Sequence, residues 1–105
     1  MNFLHTDFWG GADSRVIVSL DAQCNVLLLS DTDFTAYRTG QSCRYYGGWA
    51  THSPVHLVPP GYGHWHVVVD LGGGSGRVRA SVRIIKQSAV AQASVEATHE
   101  EHTSI

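Results

Sequence analysis

Two alternating segments on either side of a glycine-rich linker constrain the fold more than any other feature of the chain. Residues 64–71 and 77–85 place apolar side chains at every second position, and the linker between them reads Gly72-Gly73-Gly74-Ser75-Gly76. A period of two is typical of a strand with one buried and one exposed face. We therefore predict a β-hairpin in which the two strands pair directly across the glycines.

The alternation also assigns each side chain of this hairpin to a face. The predicted inward face is apolar and buries Val67, Val69, Val78, Val82 and Ile84 together. The predicted outward face is polar and consists of His64, His66, Asp70, Arg77, Arg79, Ser81 and Arg83, with Val68 among them. Because cross-strand neighbours share a face, histidines and arginines are expected to lie side by side on it.

Short strand-like segments separated by turns make up most of the first 86 residues. Those at 3–8, 15–20 and 25–29 are joined by tight connections, which favours a meander. Between Ser30 and Gly40, cap-type residues precede Phe34 and Tyr37, which predicts one short helix at about residues 31–39. Its aromatic face is expected to close one end of the core. The sequence therefore predicts an all-β fold, a small sandwich or partly open barrel of about seven mostly antiparallel strands with one short helix.

The chain of 105 residues is predicted to hold one β domain at residues 1–86 and a C-terminal tail at 87–105. The tail contains no glycine, proline or aromatic residue, so helix propensity favours a helix from about Ser88 to Glu101. Its alternating alanines leave an extended edge open as the other possibility. We predict a weakly helical or frayed tail outside the core.

Composition excludes several classes of protein. The 43% share of hydrophobic residues excludes a wholly disordered chain, and a formal net charge of −2 provides no field for nucleic acid. The longest aliphatic run, Val26–Leu29, is far shorter than the ~20 residues of a membrane span. The first residues carry no signal-peptide pattern, so we expect a cytoplasmic protein. Cys24 and Cys43 have no metal-type spacing and are expected to be reduced packing residues.

Several segments together resemble a small family of bacterial domains catalogued as domain of unknown function 1883. The matching stretches cover residues 1–86 and include Met1–Asp7, Asn25–Leu28, Arg44–Gly48, Gly63–Gly73 and Arg77–Val82. Members of that family occur alone or joined to a TIR-type signalling domain. The resemblance implies an all-β accessory or sensing module, and it implies no reaction and no catalytic residues.

The predicted outward face of the hairpin is the main candidate for a site. Arginine suits phosphate and carboxylate, so His64, His66, Arg79 and Arg83 are expected to bind a small anionic ligand. Neighbouring arginines are expected to lower the pKa of both histidines. The candidate stacking rings at the rim of this site are Tyr45, Tyr46 and Trp49. The function predicted on this basis is a non-enzymatic ligand-binding or sensing module.

Two alternatives stay open. Two histidines at i and i+2 on a strand point the same way, so His64 and His66 can hold a transition metal if His56, Asp70 or His5 supplies a third ligand. The first alternative is therefore a metal-binding protein or metal-dependent enzyme built on His56, His64 and His66, and no other cofactor is expected. The second alternative is a structural domain that binds a protein partner. The chain has no GxSxG elbow and no Cys/His motif, so we predict no catalytic residue.

Overall fold

A computed structural model of the protein describes residues 3–73, 76–86 and 97–104. Its elements in chain order are β1 (Phe3–Gly10), β2 (Ser14–Leu20), β3 (Cys24–Ser30), α1 (Asp31–Arg38), β4 (Tyr46–Ala50), β5 (Val55–Leu57), β6 (Gly63–Asp70), β7 (Arg79–Lys86) and β8 (Ala97–Ser104). The strands form two four-stranded sheets. We call the sheet with the order β1-β6-β3-β4 the front sheet, and the sheet with the order β5-β2-β7-β8 the back sheet.

All the strand pairs among the described residues are antiparallel, and the two sheets pack on one another as a sandwich. The prediction of a small all-β sandwich with one short helix is therefore confirmed. The main core lies between the sheets and contains all five of the residues predicted to be buried together, Val67, Val69, Val78, Val82 and Ile84. No helix among the described residues has the length and apolarity to cross a membrane.

The predicted hairpin across the glycine linker is wrong. In the front sheet β6 lies between β1 and β3, whereas β7 lies between β2 and β8 in the back sheet. Gly72, Gly73 and Gly76 all have positive φ, which glycine adopts easily and which turns the chain from one layer to the other. The alternation determined correctly which side chains face inward, but either sheet of a sandwich accepts such a strand.

The predicted meander of the first three strands is also wrong. The strand β1 pairs with β6, β2 pairs with β5 and β7, and β3 pairs with β4 and β6. Tight turns join these strands in sequence, yet each turn leads from one sheet to the other. Short connections between sheets are as compatible with a sandwich as hairpins within one sheet.

The short helix is confirmed, and it ends one residue earlier than predicted. The Ser30 hydroxyl accepts a hydrogen bond from the Asp33 backbone N–H at 3.2 Å and caps the first turn. The helix does not close an end of the main core. It turns back along the outer face of the front sheet, where Phe34 packs with Leu27, Leu29 and Val68 in a second, smaller core. A strand that is apolar on both faces, such as β3, requires such a cover.

The tail contributes a strand to the back sheet. Ala97–Ser104 pairs with β7 along its whole length, so the predicted helix is wrong for residues 97–101 and the extended alternative describes them. The rest of the predicted tail helix, residues 88–96, lies outside the described residues. The division of the chain at residue 86 stays a prediction.

Candidate functional site

The candidate site begins with two paired strands on the outer face of the front sheet. The register of β1 and β6 sets Asp7 opposite His66 and Trp9 opposite His64. Residues two apart on a strand share a face, so these four side chains form two adjacent rows. The His-x-His spacing therefore has the consequence predicted for it, because both imidazoles point away from the main core.

The helix brings a carboxylate to these histidines. The last residues of β3 pair with β6 at Leu29↔His66, and α1 begins directly afterwards at Asp31. The serine cap that starts α1 holds Asp31 in the first turn, beside the ends of β3 and β6. The Asp31 Oδ1 atom lies 2.7 Å from His64 Nδ1 and 2.6 Å from His66 Nε2.

We call Asp31, His64 and His66 the His/Asp cluster. The three facing atoms of the cluster, one oxygen and two ring nitrogens, lie within 4.8 Å of one another. The residues differ in burial, because His66 is buried beneath α1, His64 is half-buried and the Asp31 side chain is 64% exposed. The cluster is thus anchored in the sheet on one side and open to solvent on the other.

Residues of β1 contact the second nitrogen of each ring. Asp7 Oδ2 lies 2.6 Å from His64 Nε2, and His5 Nε2 lies 2.8 Å from His66 Nδ1. The rings of His5 and His66 also stack against Phe34, with centroid separations of 4.2 Å and 4.4 Å. Both imidazoles of the cluster are therefore held by contacts on their edges, and the orientation of the His66 ring is further restrained by the aromatic side chain of α1.

The two carboxylates control the charge of the site. The hydrogen bond from His64 to Asp7, supported by the one to Asp31, raises the pKa of His64 despite the opposing effect of burial. In turn, the hydrogen bonds from His66 and His64 lower the pKa of Asp31, and that from His64 lowers the pKa of Asp7. The predicted lowering of the His64 pKa by arginines is wrong, because the groups hydrogen-bonded to this ring are the carboxylates of Asp7 and Asp31.

The predicted arginines lie on the other side of the molecule. Arg79 and Arg83 alternate with inward-facing residues of β7, so they are exposed on the outer face of the back sheet. The combined His/Arg face therefore does not form. Asp70, predicted to pair with an arginine, is buried and accepts hydrogen bonds from Asn25, Tyr37 and the backbone N–H of Gly72.

The remaining predicted site residues do not converge on the cluster either. Tyr45 precedes β4, and Tyr46 and Trp49 lie in it, at the front-sheet edge opposite β1. His56 is exposed on β5 in the back sheet, so it is not the third ligand.

The sequence did not predict Asp31 and Asp7 as partners of the histidines. His5, predicted as a possible third metal ligand, contacts the Nδ1 atom of His66 and not the nitrogen that faces Asp31. A helix cap directly after a buried strand could have indicated that Asp31 lies near the end of β3. Only the pairing of β3 with β6 shows that this position is beside the histidines.

A comparison with protein-family models shows what the chain is related to. The model described as domain of unknown function (DUF1883) matches residues 1–88. The chain belongs to this family. The match covers β1 to β7, α1 and the whole His/Asp cluster, and it assigns no activity. No curated protein and no solved structure matches the chain.

Proposed function

We propose that this domain binds one divalent transition metal ion through Asp31, His64 and His66. Two imidazole nitrogens and one carboxylate oxygen form the donor set of many Zn²⁺ and Fe²⁺ sites, and imidazole also suits Co²⁺, Ni²⁺ and Cu²⁺. The three donors lie within 4.8 Å of one another, so modest side-chain movements are enough for them to surround one ion.

The observation that carries the proposal is the pair of outer contacts to the two histidines. A metal-bound histidine usually donates its other ring N–H to a carboxylate or another acceptor, which fixes the ring and strengthens it as a ligand. Here His64 presents Nδ1 to the cluster and Nε2 to Asp7, while His66 presents Nε2 to the cluster and Nδ1 to His5. Each ring thus has one nitrogen for the metal and a partner for the other.

The surroundings favour a cation over the anionic ligand that the sequence predicted. Asp7 and Asp31 are 53% and 64% exposed beside the two rings, and both are negatively charged at neutral pH. These carboxylates repel an anion and attract a divalent cation. In the absence of metal, both ring nitrogens of His64 face carboxylate oxygens that raise its pKa, so a proton on Nδ1 competes with the metal ion for this nitrogen. Metal binding therefore has to release protons, and its affinity should rise with pH.

The test is a Co²⁺ titration of the full-length protein without a histidine tag, followed by visible absorption and calorimetry. We expect one Co²⁺ ion per chain. Asp31→Asn and His64→Ala should each weaken binding by about 100-fold or more, and Asp7→Asn by about 10–100-fold. The matched control is His56→Ala, which removes an exposed strand histidine from the back sheet and should leave the affinity unchanged.

Asp31 and His64 suit this test better than His66, because neither is buried and their replacement should leave the fold intact. Far-ultraviolet circular dichroism would verify that it does. A wild-type protein that binds no Co²⁺ would refute the proposal. So would equal binding by the wild type, Asp31→Asn and His64→Ala, since the ion would then lie elsewhere.

A further inference from the structure

Two exposed aromatic rings lie beside the His/Asp cluster. The Trp9 ring stacks on the His64 ring, with 4.8 Å between the centroids and 17° between the planes. The Tyr62 ring lies 6.4 Å from that of Trp9, tilted by 35°. Trp9 is 57% exposed and Tyr62 is 77% exposed. We call these two rings the aromatic platform.

The backbone of two neighbouring turns positions the aromatic platform. Trp9 is near the end of β1, opposite His64, and Tyr62 immediately precedes β6. A Cβ atom added to Gly11 would lie 3.0 Å from the backbone of Tyr62, so the turn after β1 packs tightly against the turn before β6. Both rings therefore lie at the same end of the β1–β6 strand pair, which carries His64 and His66.

The helix leaves this part of the face uncovered. Further along the same face Phe3 packs edge-on against Phe34 and Tyr37 of α1, and all three rings are wholly or partly buried. The aromatic platform lies beyond the first residue of the helix, Asp31, and keeps most of its surface exposed to water. When another ring covers a large exposed aromatic surface, the burial is favourable and stabilises the contact.

We propose that the aromatic platform stacks on the planar aromatic group of a small ligand whose nitrogen or oxygen atom binds the metal of the His/Asp cluster. The inference rests on the proposed function. Three protein ligands leave at least one position on a transition metal open. A ligand atom bound there would share the metal ion with His64, the residue on which Trp9 stacks. Metal coordination and ring stacking can therefore act on one molecule.

The experiment compares imidazole with 4-phenylimidazole as probes of the Co²⁺-loaded, full-length protein. Both bind metals through a ring nitrogen, and the second adds a phenyl ring that can reach the platform. The change in the visible Co²⁺ spectrum measures both affinities. We expect the wild type to bind 4-phenylimidazole about tenfold more tightly than imidazole, which is the size of a favourable ring–ring contact.

Substitutions then identify the surface responsible. Trp9→Ala and Tyr62→Ala should each reduce the preference for 4-phenylimidazole toward one, while the affinities for imidazole and Co²⁺ stay unchanged. Trp49→Ala is the matched control, because it removes a 53% exposed tryptophan from the opposite edge of the front sheet and should preserve the preference. Should Trp9→Ala alter Co²⁺ binding through its contact with His64, Tyr62→Ala decides the outcome.

The possible failures are distinguishable. A wild-type protein without Co²⁺ affinity refutes the proposed function and this inference with it. A protein that binds Co²⁺ but shows no preference between the probes overturns the inference alone. A preference that survives both Trp9→Ala and Tyr62→Ala also overturns it, since the phenyl ring would then contact another surface.

Discussion

The outward-facing residues of β6 and β7 follow similar sequence patterns, but the two outer faces of the sandwich differ in structure. On the front sheet, β6 alternates inward valines with His64, His66, Val68 and Asp70, and α1 covers most of this outward row. On the back sheet, β7 alternates inward Ala80, Val82 and Ile84 with Arg79, Ser81 and Arg83, and both arginines stay exposed. The difference between the faces is the helix that covers one of them.

This difference shows how a cover turns a polar stripe into a site. Beneath α1, polar groups lose water and need specific partners, so His66 contacts Asp31 and His5, and Asp70 is surrounded by donors. On the back sheet, long cationic side chains remain in water, where their pairing with other residues contributes little. Ordered geometry at the candidate site is therefore a consequence of partial burial.

The largest expected difference in stability is between a substitution on the inward side of β7 and one on its outward side. Val82→Asp buries an unpaired charge in the main core and should cost about 5 kcal/mol or more, comparable to the whole stability of a small domain. Its neighbour Arg83 is exposed, so Arg83→Asp should change stability by only about 0.5 kcal/mol. Urea denaturation measures both. A cooperative, stable Val82→Asp variant would contradict the assignment of faces.

The stability of the front sheet beneath α1 should depend on the buried carboxylate of Asp70. Asp70→Ala leaves Tyr37 and Asn25 without their acceptor beneath the helix and should reduce the free energy of unfolding by about 2–4 kcal/mol. Asp13→Ala, at an exposed turn, should reduce it by less than about 0.5 kcal/mol. Equal losses in the two variants would mean that the cover on the front sheet has no energetic consequence.

Metal should stabilise the protein through the front face alone. At a Co²⁺ concentration of 100 times Kd, binding to the folded state should add about 2.7 kcal/mol, less any binding to the unfolded chain. Asp31→Asn should lose this increment, and Arg83→Ala, on the outer face of the back sheet, should retain it. Denaturation with and without Co²⁺ measures the increment. Its retention in Asp31→Asn would place the ion outside the cluster.

The smallest expected effect is a difference in the rate of thiol labelling between the two sides of the front sheet. Burial in the main core raises the pKa of Cys24 to about 11, and burial also raises the pKa of the more accessible Cys43. Because the thiolate is the reactive form, we expect slow labelling of Cys43 at pH 8 and labelling of Cys24 only after unfolding. Mass spectrometry of alkylated protein tests this, with Cys43→Ser isolating Cys24. Rapid labelling of native Cys24 would show that the core opens readily.

Local patterns in the sequence were sufficient to predict several features of the structure. The period of two identified the inward residues of β6 and β7, since it depends only on the geometry of an extended chain. The serine cap and the aromatic pair located the helix to within one residue, since capping acts over a single turn. The His-x-His spacing placed two imidazoles on one face for the same local reason. The all-β class followed from the accumulation of such short segments.

Tertiary structure decided which of these segments meet. Alternation specifies a face but not a partner, so β6 and β7, which are neighbours in sequence, belong to different sheets. This choice separated the histidines from Arg79 and Arg83 and brought them to Asp7 on β1 and Asp31 on α1. The histidines therefore face carboxylates instead of arginines, and the pKa of His64 is raised instead of lowered. Strand pairing depends on the packing of the whole core over long separations in sequence, and no short motif encodes it.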